Sequence, residues 1–203
     1  MIVIIDYGIG NLGSIQNMLR KAGVEAAIGR DAASLENAGG LILPGVGAFD
    51  PAMASLETSG LLPILRRRVL EEKIPLLGIC LGMQLLTKRS DEGRTPGLGW
   101  VDAETVRFPN QCLKVPHMGW NTVGIKLDDP LFRDMPPEPR FYFVHSYFVK
   151  CAGEENVLTT TPYGHEFCSS LVQGNIRGVQ FHPEKSHKFG MKLLKNFAEL
   201  ARC

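Results

Sequence analysis

Cys80 lies between glycines in Gly78-Ile79-Cys80-Leu81-Gly82, at the end of an apolar run, and a thiol so placed can act as a nucleophile. Lys73 to Leu77 leads in with the composition of a buried strand, and Met83 to Leu86 leads out as the start of a helix. A strand that turns abruptly into a helix presents one side chain at the crest, and flanking glycines remove the Cβ atoms that would clash there. The helix N-terminus adds partial positive charge, which favours thiolate. The plainer alternative is a small buried hydrophobe, the usual fate of a cysteine in an apolar run. A matching base lies far downstream, in Gly178-Val179-Gln180-Phe181-His182-Pro183-Glu184-Lys185-Ser186. Ile176 to Phe181 reads as a strand that Pro183 stops. In an extended segment His182 and Glu184 point to one side. A carboxylate beside an imidazole fixes its tautomer and stabilises the imidazolium. Nucleophile Cys80, general acid–base His182 and orienting Glu184 therefore form a triad if the strand ends meet.

A nucleophilic Cys80 attacking an acyl carbon would also need donors for a tetrahedral oxyanion. The Leu81 N–H, next to the nucleophile, is one candidate, and the Pro44-Gly45-Val46-Gly47 turn supplies another from Val46 or Gly47. Glycines on both sides of Val46 let a peptide plane flip, so the turn is either an on–off switch or an ordinary tight turn.

The elements that must position these groups alternate in the first half. Met1 to Ile5 is a predicted strand, Leu12 to Lys21 a helix, and Val24 to Ile28 a second strand. A short helix opens at Asp31 as N-cap, Leu41 to Leu43 is a third strand, and helical segments fill Asp50 to Glu72. Such alternation predicts a parallel sheet with helices on both faces. In the second half, Val101 to Phe108, Trp120 to Ile125, Phe141 to Lys150, Val157 to Thr160 and Glu166 to Gln173 read as short strands, expected to add antiparallel strands beyond that sheet. Phe189, Leu193, Leu194, Phe197 and Leu200 recur at helical spacing in a C-terminal helix from His187 to Ala201.

Composition sets bounds. The 203 residues suit one domain spanning residues 1–203, and no Pro/Ser/Gly-rich stretch divides them. A net charge of +1 gives no support for nucleic acid or an anionic membrane as partner, and Arg66-Arg67-Arg68 reads as the wet face of a helix. No signal peptide is expected, since Asp6 interrupts the opening apolar run, and Ile74 to Leu86 is too short to span a bilayer. Five cysteines without paired spacing suggest reduced thiols and a cytoplasmic protein. Cys112, Cys151, Cys168 and Cys203 have no evident activating context, and scattered histidines argue against a metal. Gly8-x-Gly10-x-x-Gly13 matches the dinucleotide fingerprint formally, but it follows Asp6-Tyr7 rather than a clean strand end and explains far less of the chain.

The cysteine elbow followed by His-Pro-Glu resembles the class I, or triad, glutamine amidotransferases. Ile5 to Asn11, Pro44 to Phe49, Val115 to Asn121 and Phe143 to Tyr147 narrow the likeness to the glutaminase subunits of imidazole glycerol phosphate synthases, across essentially the whole chain. The resemblance implies an α/β, flavodoxin-like central sheet with extra antiparallel strands in the C-terminal half. It implies glutamine hydrolysis without a cofactor and delivery of ammonia to a (β/α)8-barrel cyclase subunit, in a heterodimer serving histidine biosynthesis. It also suggests glutamine recognition by Gln84, Glu92, Ser146 and Tyr147. Asn11, Trp120, Asn121 and Lys185 are implied at the partner interface. Read without the resemblance, Trp120 at a strand edge is as readily a core aromatic.

Overall fold

The computed structural model describes residues 1–109 and 114–202, so Cys112 and Cys203 lie outside the described residues. The first half alternates as its apolar periodicity requires: β1 (Ile2–Ile5), α1 (Leu12–Lys21), β2 (Ala26–Gly29), α2 (Ala32–Glu36), β3 (Gly40–Leu43), α3 (Phe49–Thr58), α4 (Leu62–Arg66), β4 (Leu76–Ile79) and α5 (Leu81–Leu85). Strands dominate the second half: β5 (Ala103–Arg107), β6 (His117–Thr122), β7 (Gly124–Ile125), β8 (Arg140–His145), β9 (Tyr147–Cys151), β10 (Val157–Tyr163), β11 (His165–Gln173) and β12 (Ile176–Val179), before the closing helix α6 (His187–Leu200).

The main sheet runs β2-β1-β3-β4-β12-β11-β10-β7, with β9 pairing β5 and β11, while β6 and β8 form a separate ribbon. β1, β2, β3, β4 and β12 are mutually parallel, and β11 turns antiparallel onto β12. Because the strand period is two, β1 sends Val3 and Ile5 to one face and Ile2 and Ile4 to the other. Val3 and Ile5 pack with Phe49, Met53, Leu56 and Leu65 from α3 and α4. Ile2 and Ile4 pack with Ile15 and Leu19 of α1 and with Leu193, Leu194 and Phe197 of α6. Burial on both faces is why these strands read as unbroken apolar runs. Each fully buried leucine or isoleucine contributes about 1.5–3 kcal/mol. Parallel order also brings the carboxyl ends of β1, β3, β4 and β12 to one edge, where an open α/β sheet places its ligand crevice.

Several elements depart from expectation. β2 starts two residues later than Val24, and β12 stops at Val179, short of Phe181. The strand expected from Trp120 begins at His117 and is interrupted at Val123, which is buried. The single strand expected over 141–150 is two: β8 pairs β6 and β9 pairs β5, so the chain changes sheets at Ser146. Of the arginine triplet only Arg66 is freely exposed. Arg67, whose side chain is 41% exposed, pairs on the surface with Glu36 and Glu72, while Arg68, at 13%, pairs with Glu72 and donates to the Ala38 carbonyl within the π turn over Arg67–Glu71. Among the described residues no helix is long and apolar enough to cross a membrane.

Candidate active site

Cys80 sits directly after β4 with φ 54° and ψ −111°, a sparsely populated conformation that costs on the order of 1–3 kcal/mol in a non-glycine residue. The neighbours hold it there. Its N–H donates to Val179 O (2.7 Å), and its carbonyl accepts from the N–H groups of Met83 (3.1 Å) and Gln84 (3.3 Å). Glycines are needed for contact rather than torsion. A Cβ on Gly82 would lie 1.9 Å from Leu43 O, and one on Gly78 would lie 2.8 Å from Met83 N. α5 has only five residues, so its dipole adds less to thiol activation than a long helix would. The Cys80 sulfur has His182 as a hydrogen-bond partner.

His182 and Glu184 meet, although not by strand alternation: Pro183–Lys185 is a 3-10 turn, and the two side chains converge across it. Nδ1 of His182 lies 2.8 Å from Glu184 Oε1, with the side chains only 3% and 2% exposed. The turn is pinned to β8, where Tyr142 O accepts from the His182 N–H (2.9 Å) and Tyr142 N–H donates to Ser186 Oγ (3.0 Å). Burial alone would pull the His182 pKa down, but hydrogen bonds to Cys80 and Glu184, and their negative charge, lift it to about 10. An imidazolium thus stands beside the sulfur at neutral pH.

A cavity of about 450 Å³ opens over this group, lined by Val46, Gly47, Cys80, Leu81, Gln84, Glu92, Pro116, Val144, His145, Ser146, Tyr147, His182 and Lys185. Every expected oxyanion and glutamine residue therefore lines one space. Val46 is 44% exposed, and Gly47 has φ +93°, open to glycine but strained for other residues. Beneath the turn, Tyr7 Oη donates to Pro44 O (2.7 Å), and burial, helped by Cys80, keeps that phenol protonated well above its usual pKa. Glu92 is partly committed, since Oε2 accepts from the Phe49 N–H (3.0 Å) at the start of α3. Burial raises its pKa, and Asp50 reciprocates by accepting from Arg94 and Thr95 N–H groups, so the Glu92 loop is tied to α3.

Asn11, Trp120 and Asn121 lie outside the cavity lining. Asn11 caps α1 by accepting from Ser14 N–H (3.4 Å). Trp120 is 47% exposed and stacks on His187 at 5.4 Å, so it is not a core aromatic. Lys185 spans cavity and surface, with Nζ 5.6 Å from the Tyr142 ring centroid.

Two groups escaped sequence reasoning. Fully buried Gln180 directs Nε2 at the Cys80 sulfur (3.7 Å); its place two residues before His182 was the available signal. Cys151 and Cys168, expected to lack context, face each other at 3.7 Å. Their mutual hydrogen bond pulls Cys151 down and pushes Cys168 up, the latter aided by burial. Only the pairing of β9 and β11 brings them together.

A sequence model of glutamine amidotransferase class-I matches residues 3–200. The chain belongs to the class I glutamine amidotransferases. This amidotransferase is 54% identical over 202 residues to imidazole glycerol phosphate synthase subunit HisH 2 of Methanococcus maripaludis, covering 99% of this chain and 100% of that protein. It is 48% identical over 201 residues to the subunit HisH 2 of Pseudomonas aeruginosa, covering 98% and 100%. Among solved structures, a glutamine amidotransferase superposes with TM-score 0.76 at 24% identity, covering 99% of both chains. PurLQS of Thermotoga maritima gives TM-score 0.76 at 16% identity, covering 98% and 97%. The structural likeness establishes the amidotransferase fold, an α/β sheet flanked by helices.

Proposed function

We propose that this amidotransferase is the glutaminase subunit of an imidazole glycerol phosphate synthase, hydrolysing L-glutamine and passing ammonia to a (β/α)8-barrel cyclase subunit. The observation that carries the chemistry is Cys80 held at a strained elbow beside a buried His182 that Glu184 orients at 2.8 Å. The relatives named as HisH subunits, matched along their whole length, support the pathway.

Cys80 thiolate attacks the glutamine carboxamide carbon, and its C=O electrons move onto oxygen. Leu81 opens α5, so its N–H has no carbonyl partner within the helix; Met83 and Gln84 are the donors to Cys80 O. The Leu81 N–H stabilises the oxyanion together with a donor from Val46 or Gly47. His182 protonates the departing nitrogen, without which an amide ion would have to leave. The C–N bond breaks, ammonia departs and a glutamyl thioester remains. His182, now neutral, takes a proton from water, whose oxygen attacks the thioester; C–S cleavage returns thiolate, imidazolium and glutamate. Glu184 orients the ring throughout. In this reading Gln84, Glu92, Ser146 and Tyr147 surround the amino-acid end of glutamine, with the free Glu92 oxygen suited to its ammonium.

Ammonia released into water at neutral pH is protonated and no longer nucleophilic, which gives the reaction its need for a docked partner. We place Trp120, Asn121, Asn11 and Lys185 at that interface. The cyclase would use the ammonia to convert a phosphoribosyl formimino aminoimidazole carboxamide ribonucleotide into imidazole glycerol phosphate and an aminoimidazole carboxamide ribonucleotide. We read residues 1–203 as one amidotransferase domain, in a heterodimer of the cytoplasm. The test is glutamate release by the chain alone, with the cyclase subunit, and with the cyclase plus its ribonucleotide. A strong rise confined to the ligand-bound complex is expected; equal hydrolysis without a partner would replace this reading with a free-standing hydrolase.

A further inference from the structure

His117 and His145 are buried, at 3% and 6% exposure, and glutamine hydrolysis at Cys80 gives neither a role. They lie in one uninterrupted hydrogen-bonded chain whose direction is fixed at every link. Tyr147 O can only accept, so His145 Nδ1, 2.8 Å away, carries the proton. In a neutral ring that leaves His145 Nε2 bare, and His117 Nδ1, at 2.9 Å, must donate to it. His117 Nε2 is then the acceptor for Asn121 Nδ2 at 3.2 Å. The Asn121 amide has its orientation set twice, since Nδ2 also donates to Pro162 O (2.9 Å) and Oδ1 accepts from Thr122 N–H. Burial holds both rings neutral, lowering His117 to about 4 and His145 to about 3. His117 is clamped between the rings of Phe143 (4.8 Å) and Tyr163 (4.0 Å).

The chain continues toward the nucleophile. Tyr147 O accepts a second hydrogen bond from Gln84 Nε2 (3.2 Å), whose other proton goes to Gln180 Oε1 (3.0 Å). Gln180 Nε2 is thereby turned to the Cys80 sulfur. Five side chains and one carbonyl, from a half-buried asparagine beside Trp120 to the reacting atom, share one assignment of protons.

We propose that Asn121, His117 and His145 are a positioning relay that fixes the Tyr147 carbonyl and, through Gln84 and Gln180, the donor to the Cys80 sulfur, so that movement of β6 is read in the glutamine pocket. The relay rests on the amidotransferase reading of the cavity. The quantity transmitted is the proton assignment of the rings: Tyr147 O fixes His145, so replacing the outer donor with an acceptor breaks the match at the His117–His145 link. Asn121→Asp can no longer donate, so His117 must place a proton on Nε2: either Nδ1 is left bare against the bare His145 Nε2, or the new carboxylate holds the ring as an imidazolium.

The test uses the full chain in complex with saturating cyclase subunit, with 15N-labelled histidine. In the wild type, His117 and His145 are expected as neutral Nδ1–H rings at pH 7. Asn121→Asp should put a proton on His117 Nε2. His117→Phe keeps the ring stack but removes the link. Each variant should raise KM for glutamine by about tenfold, the loss of roughly one hydrogen bond, and His117→Phe should leave ammonia-dependent synthesis unchanged. An unchanged His117 tautomer in Asn121→Asp, or wild-type KM and kcat in both variants, overturns the relay. Should His117→Phe fail to fold, Asn121→Asp, at the relay's surface end, decides alone. A wild-type complex that leaves glutamine intact overturns the reading of the cavity itself, and the relay with it.

Discussion

Three buried histidines lie within the same half of the molecule and are driven in opposite directions. His182 rises to about 10, whereas His117 falls to about 4 and His145 to about 3. Burial pulls all three down. The difference is what each ring touches: His182 has a thiol and a carboxylate, while His117 and His145 have each other, an amide and a carbonyl. Desolvation without an opposing charge makes a neutral ring with a defined tautomer; desolvation with one makes a held cation. On the proposed function the cation serves proton transfer, and on the proposed relay the neutral rings serve geometry.

Replacing the charged ring gives the largest effect. His182→Asn should reduce glutamate release by on the order of a million-fold, as loss of a reacting triad member does, while ammonia-dependent synthesis by the complex persists. Cys80→Ala should behave alike; retained glutaminase in either would remove the assignment. Glu184→Gln tests whether the carboxylate makes the difference. The rate should fall about ten-thousand-fold, and the fall in activity at alkaline pH, where His182 loses its proton, should move to lower pH. An unmoved profile would mean that Cys80 alone holds the proton on His182.

A second buried ion pair sharpens the contrast. Arg177 and Asp129 make two hydrogen bonds, of 2.9 and 2.8 Å, away from the cavity lining. Arg177→Met should cost about 3–5 kcal/mol in a denaturant titration by stranding Asp129, with catalysis of the folded fraction unchanged. Pairing it with Asp129→Leu should recover most of the loss.

The smallest effect concerns the neutral rings. Their folded pKa values lie below the ordinary 6.5, so unfolded chains bind more protons between those values. The stability they contribute is complete above pH 6.5 and is lost as pH falls through about 4 and 3. A melting series should show this decline, and His117→Phe should flatten its upper part. An equal slope in the variant would place the acid sensitivity elsewhere.

Much of this was legible in the chain because short-range rules suffice. α1 matches its expected bounds of Leu12–Lys21, and Asp31 caps α2 through Ser34 N–H, since caps and periodicity act within a few residues. Gly78 flags the elbow because its sterics are local, a Cβ there meeting Met83 N, whereas Gly82 is required against Leu43 O of the neighbouring strand β3, a contact that only the fold creates. Ser146 was missed as a corner because 141–150 carries strand-forming residues throughout; only pairing with different partners breaks it. The Cys80, His182 and Glu184 set and the Val46 turn were read from the residues, the glutamine residues came only from family resemblance, and all line or adjoin one cavity.

By itself the sequence determined which atoms can react and which turns can expose them, because nucleophile, base and glycine hinges are properties of residues and near neighbours. Tertiary structure decided which polar groups answer each other. His117 meets His145 across 28 residues, Arg177 meets Asp129 across 48, and Gln180 meets Cys80 across 100. Such pairings depend on sheet order and register, and no local pattern encodes a register between strands that distant in the chain.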